Sequence, residues 1–336
     1  MKDIFLVLPI LASFFITLIL LPSWIKRAQR ENLVGKDIHK LKEVKVAEGG
    51  GLVVIVGFIL GVLFYVALKT FYLSTSEKVT EIFALLTTLL IVVMIGTIDT
   101  FLGWRRGLGR RLRTFLVLFS AIPLIVINAG RSVIEVPFFG VVDLGILYPL
   151  VLIPLGVAGA TTVYNFLAGY NGLEAGQGVI FLSALSAVAY FTGSPWLSII
   201  SLCMIAALLA FLVYNLYPAR VFPGDTLTYA VGGLIAVMAI LGNFEKIAVF
   251  FFIPYIIEFF LKARGGFTKQ SFGRIMKDGS LDLRYNKIYG LEHLSIYMMK
   301  KLNIKPTEKK VVCSIWLFQL AVIAIGFIIF RNGIFS

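Results

Sequence analysis

The chain has 336 residues, of which 59% are hydrophobic and only 15% charged, and its mean hydropathy is +0.93. A soluble domain cannot hide that much apolar surface, so composition excludes a water-soluble enzyme and points to an integral membrane protein. The net charge of +13 then reads as topology, with basic residues kept on the cytosolic side, and not as a nucleic-acid footprint.

In chain order, apolar runs long enough to span occur at about 4–24, 51–69, 82–98, 113–129, 145–164, 174–191, 196–215, 226–242, 246–262 and 311–330. The expected fold is therefore an all-α integral membrane protein, a bundle of ten transmembrane helices forming one polytopic domain over 1–336. The first run is too long for a signal-peptide core and lacks a small-residue cleavage site, so it counts as the first helix. The connections after odd-numbered helices are about 25–50, 99–113, 165–173, 217–224 and 262–310, and they carry 25 of the 31 Lys and Arg. The connections after even-numbered helices carry only Lys78 and Arg131. The first group is thus predicted to be cytosolic, with both termini outside. The long outer loop SVIEVPFFGVVDLG places β-branched and aromatic residues around a glycine, which predicts a short β-hairpin near 132–143.

Cys203 and Cys313 both lie within apolar runs, as packing residues do, and His39 and His293 are too few for a histidine metal centre. Other polar groups are less expected at membrane depth. Asp99 closes the third span, at the unfavourable negative end of the helix dipole. It either pairs with Arg105 or Arg106 or stands at the mouth of a cytosolic site. Asn165–Gly178 reads NFLAGYNGLEAGQG, with two asparagines, a glutamate and four glycines where a span ends. Asn165 and Asn171 would diverge by about 120° on a continuous helix, so to converge the chain must break between them, and Gly169 offers the place. Small-residue helix packing accounts for the glycines but not for the asparagines or Glu174. Asp225, in VFPGDTLTYAVGG, reads equally as a helix N-cap or as a metal ligand. Asn165 and Asp225 are hard oxygen donors without thiol or imidazole neighbours, which suits Mg²⁺. Arg105, Arg106, Arg110, Arg111 and Arg113 crowd one loop, and Arg264, Lys269, Arg274 and Lys277 open another. Each run alone suits anionic lipid headgroups; beside the acids and amides they suggest a pyrophosphate clamp.

The segments NFLAGYNGLEAGQ and YNLYPARVFPGDTLTYAVGG, with an acid at the end of the third span, resemble the polyprenyl-phosphate N-acetylhexosamine-1-phosphate transferase family. The likeness is closest to its archaeal and eukaryotic branch, the UDP-GlcNAc:dolichyl-phosphate GlcNAc-1-phosphate transferases that start N-glycan assembly. It extends from the Ile38-His39-Lys40 region to the loop near 287. The resemblance implies transfer of GlcNAc 1-phosphate from UDP-GlcNAc to a polyprenyl phosphate, with release of UMP. It implies Asp225 and Asn165 as ligands of Mg²⁺, with Mn²⁺ as a substitute. It places Asn171 on uracil, Gly169 and Phe222 as the pair that sandwiches the ring, Ile38 as an apolar neighbour and Glu48 as a nucleotide-site acid. It places Arg274 near the sugar and pyrophosphate, and Arg110 or Arg111 at the family's basic position after the third span. Asp99 matches the first of two adjacent family acids; Thr100 stands where the second is usual. The single histidine of the last cytosolic loop argues against the cell-wall branch and its muramyl-pentapeptide substrate. The implied partners are UDP-GlcNAc, a polyprenyl or dolichyl phosphate and membrane lipid, with no nucleic acid; a homodimer is left open. Short outer loops suit a compact prokaryotic version, archaeal in type, in the plasma membrane with its site on the cytosolic face. Alternatives are another UDP-N-acetylhexosamine or undecaprenyl phosphate as substrate, a nucleotide-sugar transporter, or a polyprenyl-lipid flippase without chemistry.

Overall fold

A computed structural model describes residues 5–106, 108–136 and 140–335. The chain opens with α1 (Val7–Arg30). A loop carrying the antiparallel pair β1 (Val34–Lys36) and β2 (Lys45–Ala47) leads to α2 (Gly51–Ala67), which runs on through a π-helical turn to Tyr72. Next come α3 (Val79–Arg106), α4 (Arg110–Phe119) and α5 (Ile122–Val126). Strands β3 (Val133–Val136) and β4 (Gly140–Asp143) pair antiparallel. A π turn then enters α6 (Ile153–Tyr164), followed by α7 (Leu173–Phe191), α8 (Pro195–Asn215) and α9 (Gly224–Gly242). The remainder is α10 (Glu245–Phe251), α11 (Ile253–Arg264), the small ladder β5 (Arg274–Ile275) with β6 (Leu281–Asp282), then α12 (Leu291–Lys301), α13 (Glu308–Ile329) and α14 (Arg331–Ile334).

Seven helices among the described residues are long and apolar enough to cross a membrane, which makes this a multi-pass all-α membrane protein. The other three expected spans are not single long α-helices. The 113–129 run is divided into α4 and α5, the 145–164 run is a π turn followed by α6, and the 246–262 run is divided into α10 and α11. Proline explains the divisions. Pro123, Pro149, Pro154 and Pro254 each stand in the first two positions of the segment they begin. A residue without an N–H starts a helix more readily than it continues one.

Small residues bring the long helices together. A Cβ on Gly57 of α2 would lie 2.0 Å from Thr17 Oγ1, and one on Gly61 would lie 1.8 Å from Ser13 Oγ of α1. Without a hydrophobic drive between helices in lipid, such close backbone approach supplies the packing energy. Helix α9 is the centre of the bundle: 83% of its apolar window is buried, against 22% for α1. Its start is fixed by α3, because a Cβ on Gly96 would sit 2.7 Å from the Asp225 carbonyl oxygen. The Thr97 and Thr226 hydroxyls hydrogen-bond beside this crossing at 3.1 Å. The third helix, expected to end at Asp99, continues to Arg106. Asp99 therefore projects from within a helix, one turn beyond the Gly96 crossing, and is carried to the first turn of α9.

Gly96→Val should force α3 and α9 apart and cost about 1–3 kcal/mol through overpacking. A lower midpoint of thermal unfolding in detergent, relative to wild type, is the expected readout.

Candidate active site

The break between Asn165 and Asn171 occurs where the glycines permit it. Helix α6 stops at Tyr164, α7 starts at Leu173, and Gly169 and Gly172 take φ of +118° and +83°, values that suit glycine. The turn is tied at several points. Glu174 Oε1 accepts from the Gly169 N–H at 2.7 Å, and the Tyr164 hydroxyl donates to the Glu174 carbonyl at 2.7 Å. Asn215 Oδ1 accepts from the Gly172 N–H at 3.1 Å, while its Nδ2 donates to the Val221 carbonyl at 2.8 Å. The buried Glu174 thus holds the loop's shape. Asn215 joins that loop to the one carrying Phe222.

At the ends of α3, α4, α6 and α9 the charges converge. Arg113 Nη1 of α4 donates to Asp99 Oδ2 at 2.5 Å and lies 3.7 Å from Asp225 Oδ2. The other Asp99 oxygen accepts from the Leu108 N–H at 2.8 Å. Asp225 interacts with both Asp99 and the Asn165 amide. Pro223, not Asp225, occupies the N-cap of α9, and no side chain caps that helix. The Asp225 carboxylate is thus turned toward the other charges.

The donor set fits a divalent cation. Asp225 and Asn165 each offer a hard oxygen donor beside a second carboxylate, Asp99, whose own oxygens are engaged by Arg113 and the Leu108 N–H. Asn165 Oδ1 accepts from the Thr228 hydroxyl at 2.7 Å. A hydroxyl donates or accepts, so the amide can turn its oxygen toward Asp225 and keep the Thr228 contact.

A cavity of about 630 Å³ opens over this cluster and is lined by Asn165, Asp225 and Arg113 together with Ile38, Gly169, Asn171 and Phe222. Phe272 packs directly on Gly169, where a Cβ would lie 2.3 Å from its ring. Glu48, Arg111 and Arg274 are not brought to the cavity wall. Glu48 is held near Gly35, its carbonyl accepts from the Trp24 indole at 2.9 Å, and burial raises its carboxyl pKa. Arg111 is exposed on α4. Arg274 is turned outward because the β5–β6 register sets it opposite Asp282, 4.0 Å away, with 64% of its side chain exposed. The side chains of Arg105, Arg106 and Arg110 lie outside the described residues. The cavity's cations are instead Arg113, Lys36, Lys262 and Lys269. Sequence reading had Arg113 and Lys269 only as members of their runs. Three residues past Arg110, Arg113 lies on nearly the same face of α4, and that spacing was its one signal.

Asp37, His39 and Glu308 form a second buried group with metal-ligand spacing. Lys40 Nζ already sits within it, 3.1 Å from Asp37 and 2.7 Å from Glu308, so a resident ammonium balances these acids. His39 stacks on Tyr170 with centroids 4.2 Å apart, and burial pushes its pKa down to about 4, which keeps it neutral at physiological pH.

A second, wholly different hollow of about 400 Å³ runs between α6, α9, α10 and α11, lined by residues such as Leu155, Val163, Ile240, Phe252 and Phe259. Phe166 on the polar cavity stacks against Phe259 of this apolar groove, centroids 6.4 Å apart.

Residues 82–243 match the family described as Glycosyl transferase family 4. Over 97% of both chains, the protein is 36% identical to a Saccharolobus solfataricus protein that carries the name UDP-N-acetylglucosamine–dolichyl-phosphate N-acetylglucosaminephosphotransferase. A Sulfolobus acidocaldarius protein of the same name is 34% identical over 82% of this chain and 83% of its own. One from Dictyostelium discoideum is 32% identical over 71% and 67%. With likeness of this extent running through the helices that carry the converging charges, the chain belongs to glycosyl transferase family 4.

Proposed function

We propose that the protein transfers N-acetylglucosamine 1-phosphate from UDP-GlcNAc to a dolichyl-type polyprenyl phosphate and releases UMP, on the cytosolic face of a ten-span membrane domain. The observation that carries this reading is the meeting of two hollows. A polar, cation-lined cavity above Asp99, Asp225 and Asn165 adjoins a greasy groove across the Phe166–Phe259 pair. A nucleotide sugar suits the first and an isoprenoid tail the second. The printed names of the Saccharolobus, Sulfolobus and Dictyostelium relatives support the same pair of substrates.

In this reading the lipid phosphate oxygen attacks the β-phosphorus, and UMP departs. A phosphate monoester has a second pKa of about 6 and is largely dianionic at neutral pH, so it hardly needs a general base. Both Asp99 oxygens are already engaged, by Arg113 and by the Leu108 N–H. Asp99 therefore orients Arg113, whose guanidinium meets the charge that develops on the phosphoryl oxygens. Lys262 and Lys269 stand on the same cavity wall and add to that field. Asp225 and Asn165 would hold Mg²⁺, with Mn²⁺ as a substitute. Such an ion, when bound, supplies neutralisation of the pyrophosphate charge. Asn171, Gly169, Phe222 and Ile38, all on the cavity wall, hold the uracil ring.

UMP release from UDP-GlcNAc in detergent should require both added polyprenyl phosphate and a divalent ion. Chelation should stop it, and Mg²⁺ should restore it. Release without lipid phosphate would mean hydrolysis by water and not transfer to a lipid, and binding of UDP-GlcNAc with no release at all would return the transporter reading. Asp225→Ala should abolish turnover while the protein remains folded in the membrane; near wild-type turnover with Mg²⁺ would remove Asp225 from the metal site. Asp99→Asn should slow turnover by less than tenfold, about 1.4 kcal/mol of barrier, and by less than Arg113→Ala does. A loss as deep as that of Asp225→Ala would instead make Asp99 an essential proton acceptor.

A further inference from the structure

Asn171 is held by a network of charges separate from the Asp99–Arg113–Asp225 cluster. Its backbone N–H donates to Glu308 Oε1 at 2.9 Å, and its Nδ2 donates to Asp37 Oδ2 at 3.1 Å. Lys40 Nζ bridges the two acids, 3.1 Å from Asp37 and 2.7 Å from Glu308. The His39 N–H donates to the remaining Asp37 oxygen at 3.2 Å. Asp37 and Glu308 are 4% and 5% exposed, and Asp37 stands beside Asn171 on the cavity wall.

This arrangement fixes which way the amide points. A side-chain amide's orientation is assigned from its partners. Here the partner is a carboxylate that already accepts from the Lys40 ammonium and the His39 backbone N–H, and such a carboxylate only accepts. The NH₂ group of Asn171 must face Asp37, and Oδ1 must face away. Among the described residues Oδ1 meets no donor, and Asn171 lines the polar cavity.

We propose that Asp37, held in place by Lys40 and Glu308, positions the Asn171 amide with its oxygen toward the cavity, so that the site accepts a base presenting a ring N–H and rejects one presenting a ring lone pair. Uracil has that donor at N3; cytosine has an acceptor there, which would face Oδ1 acceptor to acceptor. The inference rests on the uridine-nucleotide reading above and adds the origin of base selectivity to it. Asp37, Lys40 and Glu308 act as positioning residues, through Asn171.

Calorimetric binding of UDP, CDP and N3-methyl-UDP to the purified full-length protein, wild type and Asp37→Asn, tests it. Wild type should bind UDP about tenfold or more tighter than either analogue, the scale of one buried hydrogen bond replaced by a clash of like groups. In Asp37→Asn the new amide donates or accepts, the Asn171 amide is free to turn, and CDP should bind tighter than it does to wild type. A gain for CDP is something a merely structural lesion would not produce. An unchanged UDP-to-CDP ratio in folded Asp37→Asn would overturn the proposal. Where that variant fails to fold, wild type alone decides: equal affinity for UDP and N3-methyl-UDP overturns it, and a clear preference for UDP supports it. Wild type that binds no uridine nucleotide would bring down the uridine reading itself, a different and recognisable failure.

Discussion

One guanidinium between two carboxylates organises the protein. Arg113 lies 2.5 Å from Asp99 and 3.7 Å from Asp225, and these three residues belong to three different helices. Packed among helix ends, either acid alone would be a costly unpaired charge. Together with Arg113, and beside the Asn165 amide, they form a group that is stable only when α3, α4, α6 and α9 end at one point. Gly96 makes that meeting sterically attainable, since any side chain there would strike the backbone of Asp225. The same convergence leaves more acid than base in the cluster, which is what a divalent cation and a phosphorylated substrate would complete.

Around that point the molecule separates two solvents. The polar cavity draws its walls from helix ends and from loops set by glycine turns, and the apolar groove draws its walls from Ala, Val, Ile and Phe on α6, α9, α10 and α11. The aromatic pair Phe166 and Phe259 stands where they meet. A reaction between a water-soluble nucleotide sugar and a lipid phosphate needs such a boundary, since each substrate stays in its own medium while the reacting groups come together. The division of α10 from α11 at Pro254 belongs to the same feature: Val249, Phe252 and Ile256, on either side of the break, all line the groove.

The sequence made much of this legible. Mean hydropathy and apolar runs identified a membrane bundle, because lipid leaves the backbone few alternatives to helix. The glycine-rich motif with two asparagines foretold a chain break between Asn165 and Asn171, because no continuous helix aims residues six apart at one target. The oxygen character of Asn165 and Asp225, and their position at helix ends, pointed to convergence, and both line one cavity. Hydropathy averages straight over the prolines, so the divisions at Pro123, Pro149, Pro154 and Pro254 show only in the structure.

Partner choice among like residues was not in the sequence. Five arginines crowd the loop after the third span, and charge alone cannot say that Arg113 finds Asp99 while Arg111 faces outward; helix phase and the Gly96 crossing decide it. Arg274 looked like a phosphate ligand until a two-residue ladder set it against Asp282. Glu308 lies 137 residues from Asn171 and Lys40 lies 268 from Glu308, so no local pattern could join them. Composition and short-range spacing fix what each segment is, since they act through hydrophobic transfer and backbone geometry. Which charges share a cavity depends on long-range packing, and only the folded bundle decides that.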